Sequence, residues 1–122
     1  MDVTPMIPAD RQVIDTYGPG LFRVANTVYT HPVIVFPDRV AAWAVTDFPN
    51  LKLEDFAEVA TASVEILLIG SGAKMQLMHS SLKRALRDAG IRADVMDTGA
   101  ACRTYNVLLA EERRVAAALL PV

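Results

Sequence analysis

Asp94-Val95-Met96-Asp97-Thr98-Gly99-Ala100-Ala101-Cys102-Arg103-Thr104-Tyr105-Asn106-Val107-Leu108-Leu109 reads as a buried strand, a short polar turn and a helix. Asp97 and Thr98 carry side-chain oxygens that can accept from the free amides of a first helical turn. The helix is expected from about Ala100 to Glu112, with Ala101, Tyr105, Leu108 and Leu109 on its buried side. Cys102, Arg103 and Asn106 crowd its first turn and a half, an unusual density of polar chemistry for a helix entering a core.

Upstream of this stretch, Glu65-Ile66-Leu67-Leu68-Ile69 is an apolar run bounded by Gly70. It is short and does not alternate, so it predicts a central strand covered on both faces. Leu82, Ala85, Leu86 and Ala89 share one helix face. Ser80 or Ser81 can cap that helix, and Gly90 can close it in a left-handed conformation. Strand and helix alternating from Glu65 onward predict parallel crossovers. Arg114–Leu120 is open between two readings. Its alanines favour continuing the helix, whereas Val115, Leu119, Leu120 and the following Pro121 allow a last strand.

The N-terminal third predicts antiparallel short strands joined by tight turns. The candidates are Gln12–Tyr17, Leu21–Val24, Thr27–Tyr29, Val33–Phe36 and Val40–Val45. Gly18-Pro19-Gly20, Asn26, His31-Pro32 and Pro37-Asp38 punctuate them. Leu53, Phe56, Ala57 and Ala60 lie on one face of a short helix. Glu54, Asp55 and Glu58 lie on its solvated side. Residues 1–11 predict a loose lead-in, and residues 12–122 a single α/β domain.

The bulk numbers exclude several classes. A length of 122 residues with 52% hydrophobic content suits one domain with a substantial core. A net charge of −2 and a pI of about 5.6 argue against a nucleic-acid binder, despite the local cluster Lys83, Arg84, Arg87 and Arg92. One cysteine excludes an internal disulfide and a cysteine-built zinc site. His31 and His79 lack metal spacing, so no metal or other cofactor is expected. No apolar run approaches the roughly 18 residues that span a bilayer. The N-terminus has no leader pattern. The expected location is cytoplasmic.

Two regions fit together into one recognisable pattern. An apolar strand runs into Gly70-Ser71-Gly72. Met96-Asp97-Thr98, Ala101-Cys102-Arg103-Thr104-Tyr105-Asn106 and Glu111-x-Arg113-x-Val115-Ala116-Ala117-Ala118-Leu119 follow. This pattern resembles a family of small α/β domains of unknown function. That family is shared by mitochondrial complex I assembly factor 3, an adipogenesis-associated cytoplasmic protein and many single-domain bacterial proteins. The resemblance covers nearly the whole chain. It implies a three-layer domain with a central mixed β-sheet and a C-terminal strand-helix-strand-helix-strand order, hence a strand at Arg114–Leu120. It carries over no catalytic residues.

Gly70, Ser71 and Gly72 could turn backbone amides toward an anion, or could form only a tight structural turn. The spacing fits neither a Walker loop nor a dinucleotide fingerprint. Cys102, near a helix start and beside Arg103, is either a reactive thiolate or a small packing residue. Ser71, Asp97, Thr98, Cys102, Arg103 and Asn106 would converge beyond the carboxyl ends of neighbouring strands, as a cleft or as a capping network. Met75, Leu77 and Met78 are either core or an exposed lip for a partner. The favoured reading is a non-enzymatic interaction or assembly-support module whose partner is another protein or a membrane-complex subunit. The alternative is a small-molecule or anion-binding protein, or an enzyme, using a cleft between Gly70–Gly72 and Asp97–Arg103.

Overall fold

The computed structural model describes residues 11–122, so all of the expected lead-in except Arg11 lies outside the described residues. Among the described residues eight strands and three helices follow one another. They are β1 (Ile14–Gly18), β2 (Leu21–Val24), β3 (Thr27–Tyr29), β4 (Val33–Val35), β5 (Val40–Ala42), α1 (Ala57–Thr61), β6 (Ile66–Gly70), α2 (Ser80–Asp88), β7 (Ala93–Met96), α3 (Thr98–Ala110) and β8 (Val115–Leu119). A 3-10 turn, Leu53–Phe56, leads into α1.

β1, β2 and β3 form a small antiparallel sheet. Its hairpins depend on left-handed backbone: Gly20 at φ +72° after Pro19, and Ala25 and Asn26 at φ +47° and +69°. The remaining strands form a five-stranded mixed sheet in the order β5-β4-β8-β6-β7. β4 pairs antiparallel with β5 and with β8. β6 lies parallel to both β8 and β7. The last strand of the chain therefore sits in the middle of the sheet.

Alternation along these strands builds the three layers. Ile34, Leu67, Ile69, Ala116 and Ala118 face one side, where they meet Trp43, Phe56 and Leu86. Val33, Val35, Leu68, Val115, Ala117 and Leu119 face the other, against α3 and the small sheet through Phe22, Val24, Ala101, Tyr105 and Leu109. Alanine is a modest strand former, yet Ala116, Ala117 and Ala118 are fully buried. Their small size lets both covering layers approach the central strand.

Several expected boundaries move. β5 stops at Ala42, and Trp43 leaves the strand to pack on Phe56, with ring centroids 5.6 Å apart. Its indole N–H donates to the Asp55 carbonyl at 2.8 Å. His79 occupies the cap position of α2 without a side-chain hydrogen bond, and Ser80 is already the first helical residue. Among the described residues no helix is long and apolar enough to cross a membrane.

Both long helices end in the same hydrogen-bond pattern. In α2, Ile91 N–H reaches Leu86 O at 2.9 Å and Gly90 N–H reaches Arg87 O at 3.0 Å. In α3, Arg113 N–H reaches Leu108 O and Glu112 N–H reaches Leu109 O, each at 3.0 Å. The left-handed residue is Gly90 (φ +82°) in α2 but Glu112 (φ +60°) in α3. A left-handed Cβ costs about 1–2 kcal/mol, while glycine adds about 0.5–1 kcal/mol of backbone entropy to be lost on folding. Glu112→Gly is expected to stabilise the protein by about 0.5 kcal/mol on that balance, read as a raised urea midpoint. A lowered midpoint would mean that the Glu112 side chain does more than tolerate its turn.

Candidate functional site

The carboxyl ends of β6 and β7, the exit of β8 and the start of α3 meet in one buried knot. Asp97 caps α3, its Oδ1 accepting from Ala100 N–H at 2.9 Å. Thr98 does something else. Its side chain is fully buried; its hydroxyl donates to Leu120 O at 2.7 Å and accepts from Gly72 N–H at 2.9 Å. Thr98 N–H donates to Gly72 O at 2.9 Å, and Leu120 N–H donates to Gly70 O at 3.0 Å. This threonine joins the ends of two strands to a helix.

Gly70 is required by the same closeness. A Cβ there would lie 2.8 Å from Thr98 Oγ1 and 3.0 Å from Thr98 Cα, which is backbone and cannot swing aside. Ser71 N–H donates to Met96 O at 2.9 Å. Its Oγ donates to Lys74 O at 2.7 Å and accepts from Gln76 N–H at 3.1 Å. The Gln76 amide returns to Ser71 O at 3.0 Å. The nine residues between β6 and α2 thus begin as a pinned loop, and the glycine turn does not abut a helix N-terminus. The Ser71 and Gly72 amides are engaged within the protein.

Cys102, Arg103 and Asn106 lie one to two turns further along α3 and face β1. Asn106 acts as a substitute strand partner: its Oδ1 accepts from Ile14 N–H at 3.0 Å, and its Nδ2 donates to Ile14 O at 2.8 Å. Arg103 Nη1 donates to the Tyr17 hydroxyl at 2.9 Å. These groups and Ile14–Tyr17 line a depression of about 320 Å³. Gly99 sits under the Tyr17 ring, and a Cβ there would strike its hydroxyl.

Cys102 forms part of the floor and is 2% exposed. Burial pushes its thiol up to about 12, with Arg103 opposing the shift and Asp97 adding to it. At neutral pH it is a thiol, not a thiolate, so the helix dipole and the neighbouring guanidinium do not outweigh desolvation. Burial also raises the Tyr105 phenol. That hydroxyl has no hydrogen-bond partner among the described residues.

The expected site residues therefore fall into two groups. Gly70, Ser71, Gly72, Asp97 and Thr98 form the knot. Cys102, Arg103 and Asn106 form the depression with β1. Sequence reasoning missed Asp15 and Tyr17, because no local motif joins β1 to a helix 86 to 92 residues away. Among the described residues no three or more His, Cys, Asp or Glu side chains are grouped to hold a metal.

Comparison with known proteins adds relatives. The chain is 32% identical over 89% of its length to an assembly factor 3 of the NADH dehydrogenase [ubiquinone] 1 alpha subcomplex from Danio rerio, and spans 64% of that protein. A crystal structure from Bordetella parapertussis superposes with a TM-score of 0.85 at 35% identity, covering 92% of this chain and 97% of that one. A structure from Bartonella henselae described as an outer membrane protein gives 0.83 at 39% identity, covering 96% and 99%. The family of proteins of unknown function DUF498/DUF598 matches residues 14–120, from the first strand to just past the last, and the chain belongs to it.

Proposed function

We propose that the protein is a non-enzymatic interaction module that supports the assembly of a larger complex, with a subunit of a membrane complex as its partner. The observation that carries this reading is Leu77. It is 86% exposed, with Met75 beside it at 54%, on a loop whose root is hydrogen-bonded through Ser71 and Gln76. Loose loops shed apolar side chains into water at random. Here a braced backbone presents one, at low entropic cost to a partner. The similarity to the Danio rerio assembly factor supports the same reading. The cytoplasm is the proposed location.

The test is affinity purification at native expression, with wild type beside Leu77→Asp and mass spectrometry of retained proteins. Wild type is expected to hold one protein or complex. Leu77→Asp is expected to lose it at least about tenfold, since burying a leucine contributes about 1.5–3 kcal/mol. The melting temperature should be unchanged. Identical retention by both proteins, or none by either, would remove the proposal.

A second reading has its own observation. Arg103 forms no ion pair among the described residues and borders the depression between β1 and α3. A small anion would find there a cation and a phenol hydroxyl. Titration with phosphate or acetate, followed by amide shifts at Cys102–Asn106 and abolished by Arg103→Ala, is the signature. Flat shifts up to high anion concentration would dispose of it.

A further inference from the structure

Among the described residues β7 is the margin of the five-stranded sheet and pairs only with β6. Leu67 N–H takes the Arg92 carbonyl at 2.8 Å, and Ser71 N–H takes the Met96 carbonyl at 2.9 Å. The two-residue period of a strand then turns the backbone groups of Ala93 and Val95 outward, away from β6. Beside that margin runs α2, and between them lies a groove of about 670 Å³. Lys83, Arg84, Arg87 and Arg92 line it, over a floor of Ile91 and Ala93.

Among the described residues no acid lines this groove; Asp88, exposed at the end of α2, lies outside its lining. The ion pairs among the described residues are Arg39–Glu58 and Arg113–Glu65, and neither uses these four cations. Arg92 adds to the field on Glu65, but the hydrogen bonds of Glu65 go to Arg113. Lys83 and Arg87 stand four residues apart on α2, and Arg84 and Arg87 three apart. Like charges at those spacings weaken a helix. The chain as a whole carries net charge −2, so the positive groove runs against its overall sign. Asp94, the acid on β7, is exposed on the sheet face away from Ala93 and Val95.

We propose that this groove binds an acidic, extended segment of a partner protein. The segment adds to β7 as a sixth strand, with the carboxylates of alternate residues turned toward Lys83, Arg84 and Arg87 on the α2 side. This goes beyond the interaction reading above, at a surface other than the Leu77 loop, and names a partner segment by its chemistry. A polyphosphate chain would satisfy the cations but has no N–H and C=O ladder to offer Ala93 and Val95. A polypeptide satisfies both.

The probe is a fluorescein-labelled peptide of about twelve residues, alternating glutamate and valine, long enough to cover one strand at about 3.3 Å per residue. It should bind the full chain at low salt and weaken as salt rises. The double variant Lys83→Glu/Arg87→Glu, exposed at both sites and checked for unchanged helicity, should lose binding at least about tenfold. Amide exchange at Ala93 and Val95 should slow when the peptide is bound. Equal binding of a lysine–valine peptide, tighter binding of oligouridylate or of phosphatidylserine vesicles, or unprotected Ala93 and Val95 would each overturn the proposal. A partner captured equally by wild type and the charge-reversed variant would sink the groove while leaving the interaction reading intact. No partner for wild type would sink the interaction reading, and the peptide titration would still decide the groove.

Discussion

Thr98→Val is expected to lower the unfolding free energy by about 2–4 kcal/mol, although valine nearly matches threonine in shape. The loss comes from two backbone groups rather than from the side chain itself. Gly72 N–H and Leu120 C=O both use the Thr98 hydroxyl, at 2.9 and 2.7 Å. The hydroxyl is fully buried, and Leu120 is only 6% exposed. Each group left unpaired there forfeits about 1–3 kcal/mol of solvation. Thr98→Ser keeps the hydroxyl and removes one methyl, so it should cost about 1 kcal/mol. Urea unfolding of the three proteins separates the outcomes. A larger loss for serine than for valine would show that packing, not the hydrogen bonds, holds the knot. The Gly72 amide should exchange much faster in Thr98→Val than in wild type.

Raising the pH should also destabilise the protein, through Cys102. The folded thiol sits at about 12 against an ordinary value of 9.0. A group whose pKa is raised by folding keeps its full contribution below the unfolded pKa and loses it as pH climbs toward the folded one. Above pH 9.0 the unfolded chain releases this proton, and the folded chain keeps it. Stability should therefore fall by up to about 1.4 kcal/mol per pH unit, or about 2–3 kcal/mol between roughly pH 9 and 11. The buried Tyr105 phenol, raised for the same reason, steepens the fall. Cys102→Ala should start less stable at pH 7 for lost packing and then decline less steeply. The difference between the two slopes isolates the thiol, because every other titrating group is common to both proteins. Parallel slopes would mean that Cys102 ionises alike in the folded and unfolded chains. In line with its burial, the thiol should resist a disulfide reagent at pH 8 until the chain is unfolded.

The elements were legible where one local pattern decided them. Ile66–Gly70 is an unalternating apolar run, and it is a strand covered on both faces. Leu82 and Leu86 pack on the core from α2 as their spacing predicts, whereas Ala89, expected on the same face, is the exposed C-cap, and Gly90 follows it with φ +82°. The end of α3 was not legible in the same way. Glutamate at a left-handed position has no sequence signature, so the alanines after Glu112 could be read as more helix. Pairing decided otherwise. β8 gains ladders from β4 on one side and β6 on the other, and both faces of its alanines are buried. Those gains outweigh an alanine helix preference of well under 1 kcal/mol per residue.

The candidate site divides along the same line. Asp97 is a cap in sequence and in structure, because a cap and its amides lie three residues apart. Thr98 reads as a second cap but bonds Gly72 and Leu120, 26 and 22 residues away. Arg103 and Asn106 meet β1 across 86 and 92 residues, and the basic groove exists only because β7 falls at the margin of the sheet. Hydrophobic period and turn chemistry act over a few neighbouring residues, so they were enough for the strand–helix alternation of the C-terminal half; the three-layer arrangement and the last strand came from the family resemblance of the motifs. Which polar groups meet, which thiol loses its water and which strand is left with a free edge were decided by tertiary structure. Hydrogen bonding and desolvation act across a few ångströms of space, whatever the distance along the chain.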